Sequence, residues 1–288
     1  MKIFSIILLA ALITFQAESA DVEENLTEDL NEVSTRLDLN GNLKAFLEKL
    51  KETLKTGDES KGIPILDPLA SPEIGPLSVD WEDLVGTLFV QSVGLSGLSE
   101  YIVQNATKIS LVKLKVDISL RWPEIQGNLT GYDINSRLMD FVNVVGQGFA
   151  EFSIKDFNFD IKTTTTKSKE TGKLHMDILG LDFSMGDFKI RLEGLYGDEM
   201  ISEIFSGIVS DLVPEAIETY KDLMLSAIKK FTSDAVNQII GDMAISDIIG
   251  IINGKKNAKS ISSRISNVDW NHNENLLKQI IGVFNHKN

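Results

Sequence analysis

The sequence predicts an α+β fold in which a strongly curved antiparallel sheet wraps around a long C-terminal helix. Three observations predict it. From Asp198 to Met243 apolar residues recur three or four apart without a gap, which is a helical period. Between Ile109 and Leu195 the period switches to two, the pattern of strands. Within that region the apolar parity slips three times, and a strand that changes face bends sharply or switches layers.

Residues 1–20 read as a secretory signal: Lys2 supplies the positive end, Ile3 to Phe15 the apolar run, and Ala17 and Ser19 a small-residue cleavage pattern. The run is too short to span a bilayer, and no later stretch reaches eighteen uninterrupted apolar residues. A secreted, extracellular protein without stable membrane insertion is expected. Asn25-Leu26-Thr27, Asn105-Ala106-Thr107 and Asn128-Leu129-Thr130 make Asn25, Asn105 and Asn128 candidate glycosylation sites. With no cysteine, no disulfide can form, so stability must come from buried area. A chain of 288 residues, 43% of them hydrophobic, has material for that core. A net charge of −14 offers no basic face to nucleic acid and disfavours anionic membrane surfaces.

Residues 21–56 form an N-terminal helical segment, acidic, with Leu26, Leu30, Val33 and Leu37 and then Leu43, Phe46, Leu47, Leu50 and Leu54 at helical spacing. Asn40-Gly41-Asn42 is expected to split it in two. Asp38-Leu39-Asn40-Gly41 is no calcium loop, because Arg36 and Leu47 would stand at its first and twelfth positions. Residues 57–243 form the main domain, opening with a connector in which Pro64, Pro68, Pro72 and Pro76 forbid helix.

The strand region follows. Val112, Leu114, Val116, Ile118, Leu120 and Trp122 alternate with polar residues, with Ile109 and Leu111 on the other parity. The same slip separates Phe152 and Ile154 from Phe157, Phe159 and Ile161, and Leu174, Met176 and Ile178 from Leu179, Leu181 and Phe183. Hairpin turns are expected at Glu170-Thr171-Gly172 and Met185-Gly186-Asp187.

Along residues 198–243, Ile204, Ile208, Leu212, Ala216, Tyr220, Met224 and Ile228 follow one another by fours. Each such step overshoots a turn by about 40°, so the stripe winds, and a surface that curls round the helix would cover all of it. Pro214 is expected to kink or break the rod, which leaves open two ordinary helices meeting there. Residues 244–288 read as an appendage: an apolar patch from Ile245 to Ile252, a basic stretch from Lys255 to Arg264, and a short amphipathic helix from Leu276 to Phe284.

Catalytic and metal chemistry find no support. His175, His272 and His286 are scattered, with no H-E-x-x-H and no cysteine to complete a zinc site; His175 is expected on the solvent side of its strand. Gly94-Leu95-Ser96-Gly97 is not a nucleophile elbow but a turn. Gly146-Gln147-Gly148 lacks the third glycine and lysine of a phosphate loop. Asp156, Asn158 and Asp160 alternate with Phe157, Phe159 and Ile161, so they read as a solvated strand face. No cofactor is implied.

Gly62-Ile63-Pro64-Ile65-Leu66-Asp67-Pro68-Leu69 resembles a signature of the insect juvenile-hormone-binding and takeout family. Trp122-Pro123-Glu124-Ile125, Gly131-Tyr132-Asp133-Ile134 and Gly146-Gln147-Gly148 resemble that family's landmarks in the same order, over roughly residues 40–243. The resemblance implies a tubular lipid-binding fold with an apolar tunnel, in proteins that carry terpenoid hormones or other lipophilic molecules in insect extracellular fluid. Mite group 7 allergens and bactericidal permeability-increasing proteins are similar at greater distance. The family's N-terminal cysteine pair is missing here, and the residues after Met243 have no counterpart in its pattern.

The expected function is therefore a secreted, non-enzymatic carrier of a small lipophilic ligand, a juvenile-hormone-like terpenoid or a fatty acyl compound. Its expected lining is Trp122, Phe152, Phe159, Phe183, Phe188, Ile204, Ile208 and Leu212. In the competing reading those aromatic residues are core, and the protein is a surface-binding, allergen-like or defence protein recognising bacterial lipid or a protein partner through the Ile245 to Ile252 patch. A lipid-active hydrolase is a third class, needing a base that only His175 could supply within the strands. The oligomeric state is left open.

Overall fold

The structure, a computed structural model, describes residues 39–57, 65–71, 73–81, 84–105, 115–138, 142–168, 173–241 and 243. Helix α1 (Leu39–Thr56) buries Leu43, Leu47, Leu50 and Leu54, whose spacing puts them on one face. Asn40-Gly41-Asn42 does not interrupt it; the triplet lies in the first turn. Residues 21–38 lie outside the described residues, as do the signal segment, Asn25 and the region around Leu111. The Leu54 carbonyl accepts the N–H groups of both Leu66 and Asp67, which turns the chain out of the helix. The Asp67 carboxylate then takes the N–H of Gly97 at 2.9 Å, the N–H of Ser99 at 2.8 Å and the Ser99 hydroxyl. The Asp67-Pro68-Leu69 part of the signature thus fastens α1 to the sheet.

Among the described residues eight strands follow: β1 (Leu69–Ala70), β2 (Ile74–Trp81), β3 (Leu84–Ser96), β4 (Ile102–Val103), β5 (Lys115–Leu138), β6 (Val142–Lys167), β7 (Leu174–Ser184) and β8 (Asp187–Leu192). They form one antiparallel sheet in the order β1-β3-β5-β6-β7, with β2 on β3, β4 on β5 and β8 on β6. The described strands do not close into a barrel. Strands begin well before Ile109, contrary to the sequence expectation. In β3 the pairing with β5 shifts between Val90 and Val93, and that irregularity breaks the alternation which would have disclosed the strand. Gly94 to Ser96 belong to β3 as well, so only Gly97, at φ 85°, makes the turn expected there.

The parity slip in β6 is a crease. Between Ile154 and Phe157 of β6, Asp156 adopts φ 51°, and the facing strand changes face between Trp122 and Ile125. Because both strands bend at one rung, Trp122↔Phe157 and Glu124↔Lys155 keep the same register. Beyond β6 the bend falls at Met185-Gly186, where the Gly186 N–H donates to the Lys155 carbonyl at 2.9 Å. This corrects the second expected hairpin. Strands β7 and β8 do not pair with each other; both pair with β6, end to end. The slip in β7 is a bulge at Leu179, left 61% exposed between Ile178 and Gly180.

The C-terminal helix α2 (Glu199–Ile240) is continuous, with Asp198 as its cap accepting the Ile201 N–H at 3.1 Å. Pro214 sits inside it without breaking it, so the two-helix alternative falls. Two apolar clusters result. The larger joins α1, Tyr101, Trp122, the far halves of β5 to β7 and the end of α2 from Ile228 to Ile240. The smaller joins Tyr132, Val144, Ala150 and Leu195, with Phe205 of α2 packed on it.

Candidate ligand site

The site is built where the crease brings aromatic residues together on the sheet face that carries both clusters. Trp122 is buried, its indole N–H donating to the Leu98 carbonyl at 2.9 Å and its ring edge-on to Tyr101 at 5.5 Å. Phe157 links Trp122, at 5.8 Å, to Phe183, at 6.0 Å. Phe159 is buried in register with both Leu120 and Phe183. Across the crease Phe152 lies 6.1 Å from Phe188, and a Cβ on Gly127 would meet the Phe152 ring at 2.1 Å. Glycine at 127 is what lets that ring lie flat on the neighbouring strand.

Five of the eight expected lining residues, Trp122, Phe152, Phe159, Phe183 and Phe188, therefore share this face. Ile204, Ile208 and Leu212 do not join them: they are 56%, 41% and 50% exposed on the outer side of α2. The side of α2 that meets the sheet here is Ser202, Ser206 and Ser210, all buried. Their hydroxyls accept the N–H groups of Leu195, Leu192 and Ile190 at 3.0, 2.8 and 3.0 Å. Each hydroxyl also donates to the carbonyl four residues back, at 2.7 to 2.8 Å.

The match is geometric. Serines four apart on a helix rise about 6 Å, close to the roughly 6.6 Å between alternate residues of a strand. The far end of α2 seals β7 likewise: Asn237 accepts the Met176 N–H at 2.7 Å and donates to its carbonyl at 3.1 Å, and the Gly241 carbonyl takes the Leu174 N–H. The helix is thus the cover of the sheet's outer edge, whose unpaired groups would otherwise invite another strand.

Sequence reasoning missed half-buried residues packed against the larger cluster: Leu95 and Ile154 of the sheet, and Ile217, Met224 and Leu225 of α2. Their parity was legible; which side of α2 faces the sheet was not. At the margin Lys221 hydrogen-bonds Asp182 at 2.9 Å and stands 5.7 Å over the Phe183 ring. That bond holds its pKa above the ordinary lysine value. Burial, then the Glu48 charge, pushes the Tyr101 hydroxyl far up. Burial, then Glu193, raises Tyr132, whose hydroxyl donates to the Glu193 carbonyl at 2.7 Å.

The opposite sheet face is polar. A groove of about 650 Å³ is lined by Glu124, Glu151, Lys189, Arg191, Gln126 and Asn128 together with the apolar Leu95, Phe152 and Ile190. Asp156 pairs with Arg121, and His175 is solvent-facing, 3.2 Å from Asp177. Asn105 and Asn128 are exposed. Gly146 and Gly148 lie within β6, where a Cβ would meet Leu195 Cα at 2.7 Å and the Glu193 carbonyl at 2.0 Å, so glycine permits the 193–195 segment to cross.

A family model described as haemolymph juvenile hormone binding protein matches residues 8–250. The chain belongs to this family. No curated protein sequence matches this family member with significance. Among solved structures it is similar to Takeout 1 of Epiphyas postvittana, at 16% identity and a TM-score of 0.48, covering 71% of this chain and 92% of that one. It is also similar to a lipopolysaccharide binding protein, at 9% identity and a TM-score of 0.31, covering 52% of this chain and 32% of that one. No described helix is long and apolar enough to cross a membrane.

Proposed function

We propose that this family member is a secreted, non-enzymatic carrier that holds a small lipophilic ligand, a juvenile-hormone-like terpenoid or a fatty acyl compound, between the creased sheet and the middle of α2. The observation that carries the reading is the half-burial of Phe152, Ile154, Phe157, Ile217 and Met224, apolar side chains beside the buried Trp122, Phe159 and Phe183. A ligand covering them removes its own apolar surface and theirs from water. At about 25 cal/mol per Å², roughly 300 Å² of ligand surface gives some 7 kcal/mol before entropy costs. Family membership supports the same reading. In it Phe152 and Phe188 touch the ligand, Trp122, Phe159 and Phe183 form the wall behind, and Asn105 and Asn128 carry glycans on the exposed side.

Native mass spectrometry of the protein purified from its source should find a retained lipid. A fluorescent fatty-acid probe should be displaced by terpenoid or fatty acyl competitors, with displacement weakened about tenfold by Phe152→Ala. If solvent extraction yields no lipid and no such compound displaces the probe, the reading fails.

A further inference from the structure

Phe149 is an aromatic residue on the polar side of the sheet. It alternates with Gln147 and Glu151 along β6, is 61% exposed, and belongs to neither apolar cluster. Across from it β5 is bulged: the register passes from Leu129↔Ala150 to Tyr132↔Gly148, so Thr130 and Gly131 both face Phe149. Thr130 is the hydroxyl residue of the sequon Asn128-Leu129-Thr130. Asn128, Thr130, Phe149, Glu151, Arg191 and Glu193 are among the residues that line one depression of about 320 Å³.

The Asn128 amide leans over Gly94, where a Cβ would meet its oxygen at 2.2 Å and its nitrogen at 3.5 Å. The nitrogen, the atom that carries a sugar, is thus the farther of the two from β3. A pyranose has a face of C–H groups and a rim of polar ones. The face suits an aromatic ring, which it removes from water, and the rim suits hydroxyls and charges beside that ring. Both are present: the Phe149 ring, and Thr130, Glu151 and Arg191 around it, with Arg191 held 2.6 Å from Glu193. Asn105 offers a contrast. It shares a depression of about 380 Å³ with Asp117, Asp160, Lys162 and Asp182, and no aromatic residue is among the described residues that line it.

We propose that the glycan on Asn128 is a structural part of the sheet: its first N-acetylglucosamine lays its C–H face on Phe149, between β5 and β6, whereas the Asn105 glycan stands in solvent. This rests on the glycan assignment made above and is independent of what the sheet and α2 hold between them.

The full-length protein is secreted from cultured insect cells, peptide mass spectrometry measures occupancy at each asparagine, and thermal midpoints are compared. Asn128→Gln should lower the midpoint by about 2–4 °C, but by less than about 1 °C when Phe149→Ala is already present, because the ring the sugar covers is gone. Asn105→Gln should leave the midpoint within about 1 °C of the unchanged protein. Trimming the folded protein with an endoglycosidase that spares the first sugar should leave it there too. If Asn128→Gln is not secreted, amidase removal of the glycan from folded Asn105→Gln protein takes its place. Equal losses with and without Phe149 overturn the proposal, as does a midpoint that falls on trimming, and as does a bare Asn128 beside an occupied Asn105. A chain bare at both asparagines overturns the glycan assignment and this inference with it, whereas absence of lipid from every form overturns the carrier reading alone.

Discussion

The two ends of α2 do opposite things with the same helical period. From Ile228 to Ile240 the helix buries Ile228, Ala235, Val236, Ile239 and Ile240 in the larger cluster, and its apolar stripe is its contact surface. From Glu199 to Leu212 its contact surface is a row of serines, and its apolar stripe faces outward. The difference follows from what each end meets. Among the described residues the C-terminal end touches the β7 edge only through Asn237 and the Gly241 carbonyl and otherwise meets side chains standing off a sheet face, where water removal rewards apolar atoms. The N-terminal end meets a strand edge, where each N–H left without a partner costs more than an apolar contact returns. A helix beside a strand edge is selected for acceptors at the strand's spacing.

That contrast can be broken by substitution. The largest effect should come from Ile239→Ala, 3% exposed, losing about 2–5 kcal/mol in urea denaturation, with Val236→Ala somewhat less. Next, Ser206→Ala orphans the Leu192 N–H and should lose about 1–3 kcal/mol, while Ser206→Thr, which keeps the hydroxyl, should lose less. If Ser206→Ala is neutral, the serine row is not what holds this end.

The larger cluster also has a pH signature. Burial raises Tyr101 in the folded state, so the folded chain keeps the proton that an unfolded tyrosine releases near 10.0. Its contribution is intact below pH 10 and falls above it by about 1.4 kcal/mol per pH unit. Denaturation midpoints between pH 8 and 11 should show that slope, and Tyr101→Phe should flatten it. The smallest effect belongs to Ile204→Ala, expected within about 0.5 kcal/mol by the same denaturation assay. A loss above 2 kcal/mol there would mean that the outer side of α2 is covered and energetically important.

Much of the fold was legible in advance. The length of α2 follows from an unbroken apolar period. Two parity slips, at Phe152–Phe157 and at Ile178–Leu179, marked the crease and the bulge before any coordinates. The misreadings share one cause. Met185-Gly186 looks like a hairpin turn because local chemistry cannot tell a reversal from a crease; only the partner strand decides. Pro214 looks like a break because propensity counts the lost hydrogen bond and not the packing on either side of it.

By itself, then, the sequence determined which stretches beyond Ile109 are helix and strand, where two of the strands change face, and that one face of the sheet is aromatic, because these depend on neighbours within a few residues. The tertiary structure decided which side of α2 touches the sheet. Two stripes compete there, Ile204, Ile208 and Leu212 against Ser202, Ser206 and Ser210. The choice turns on an unpaired strand edge contributed by residues 190–195, and such an edge exists only after β8 has paired with β6.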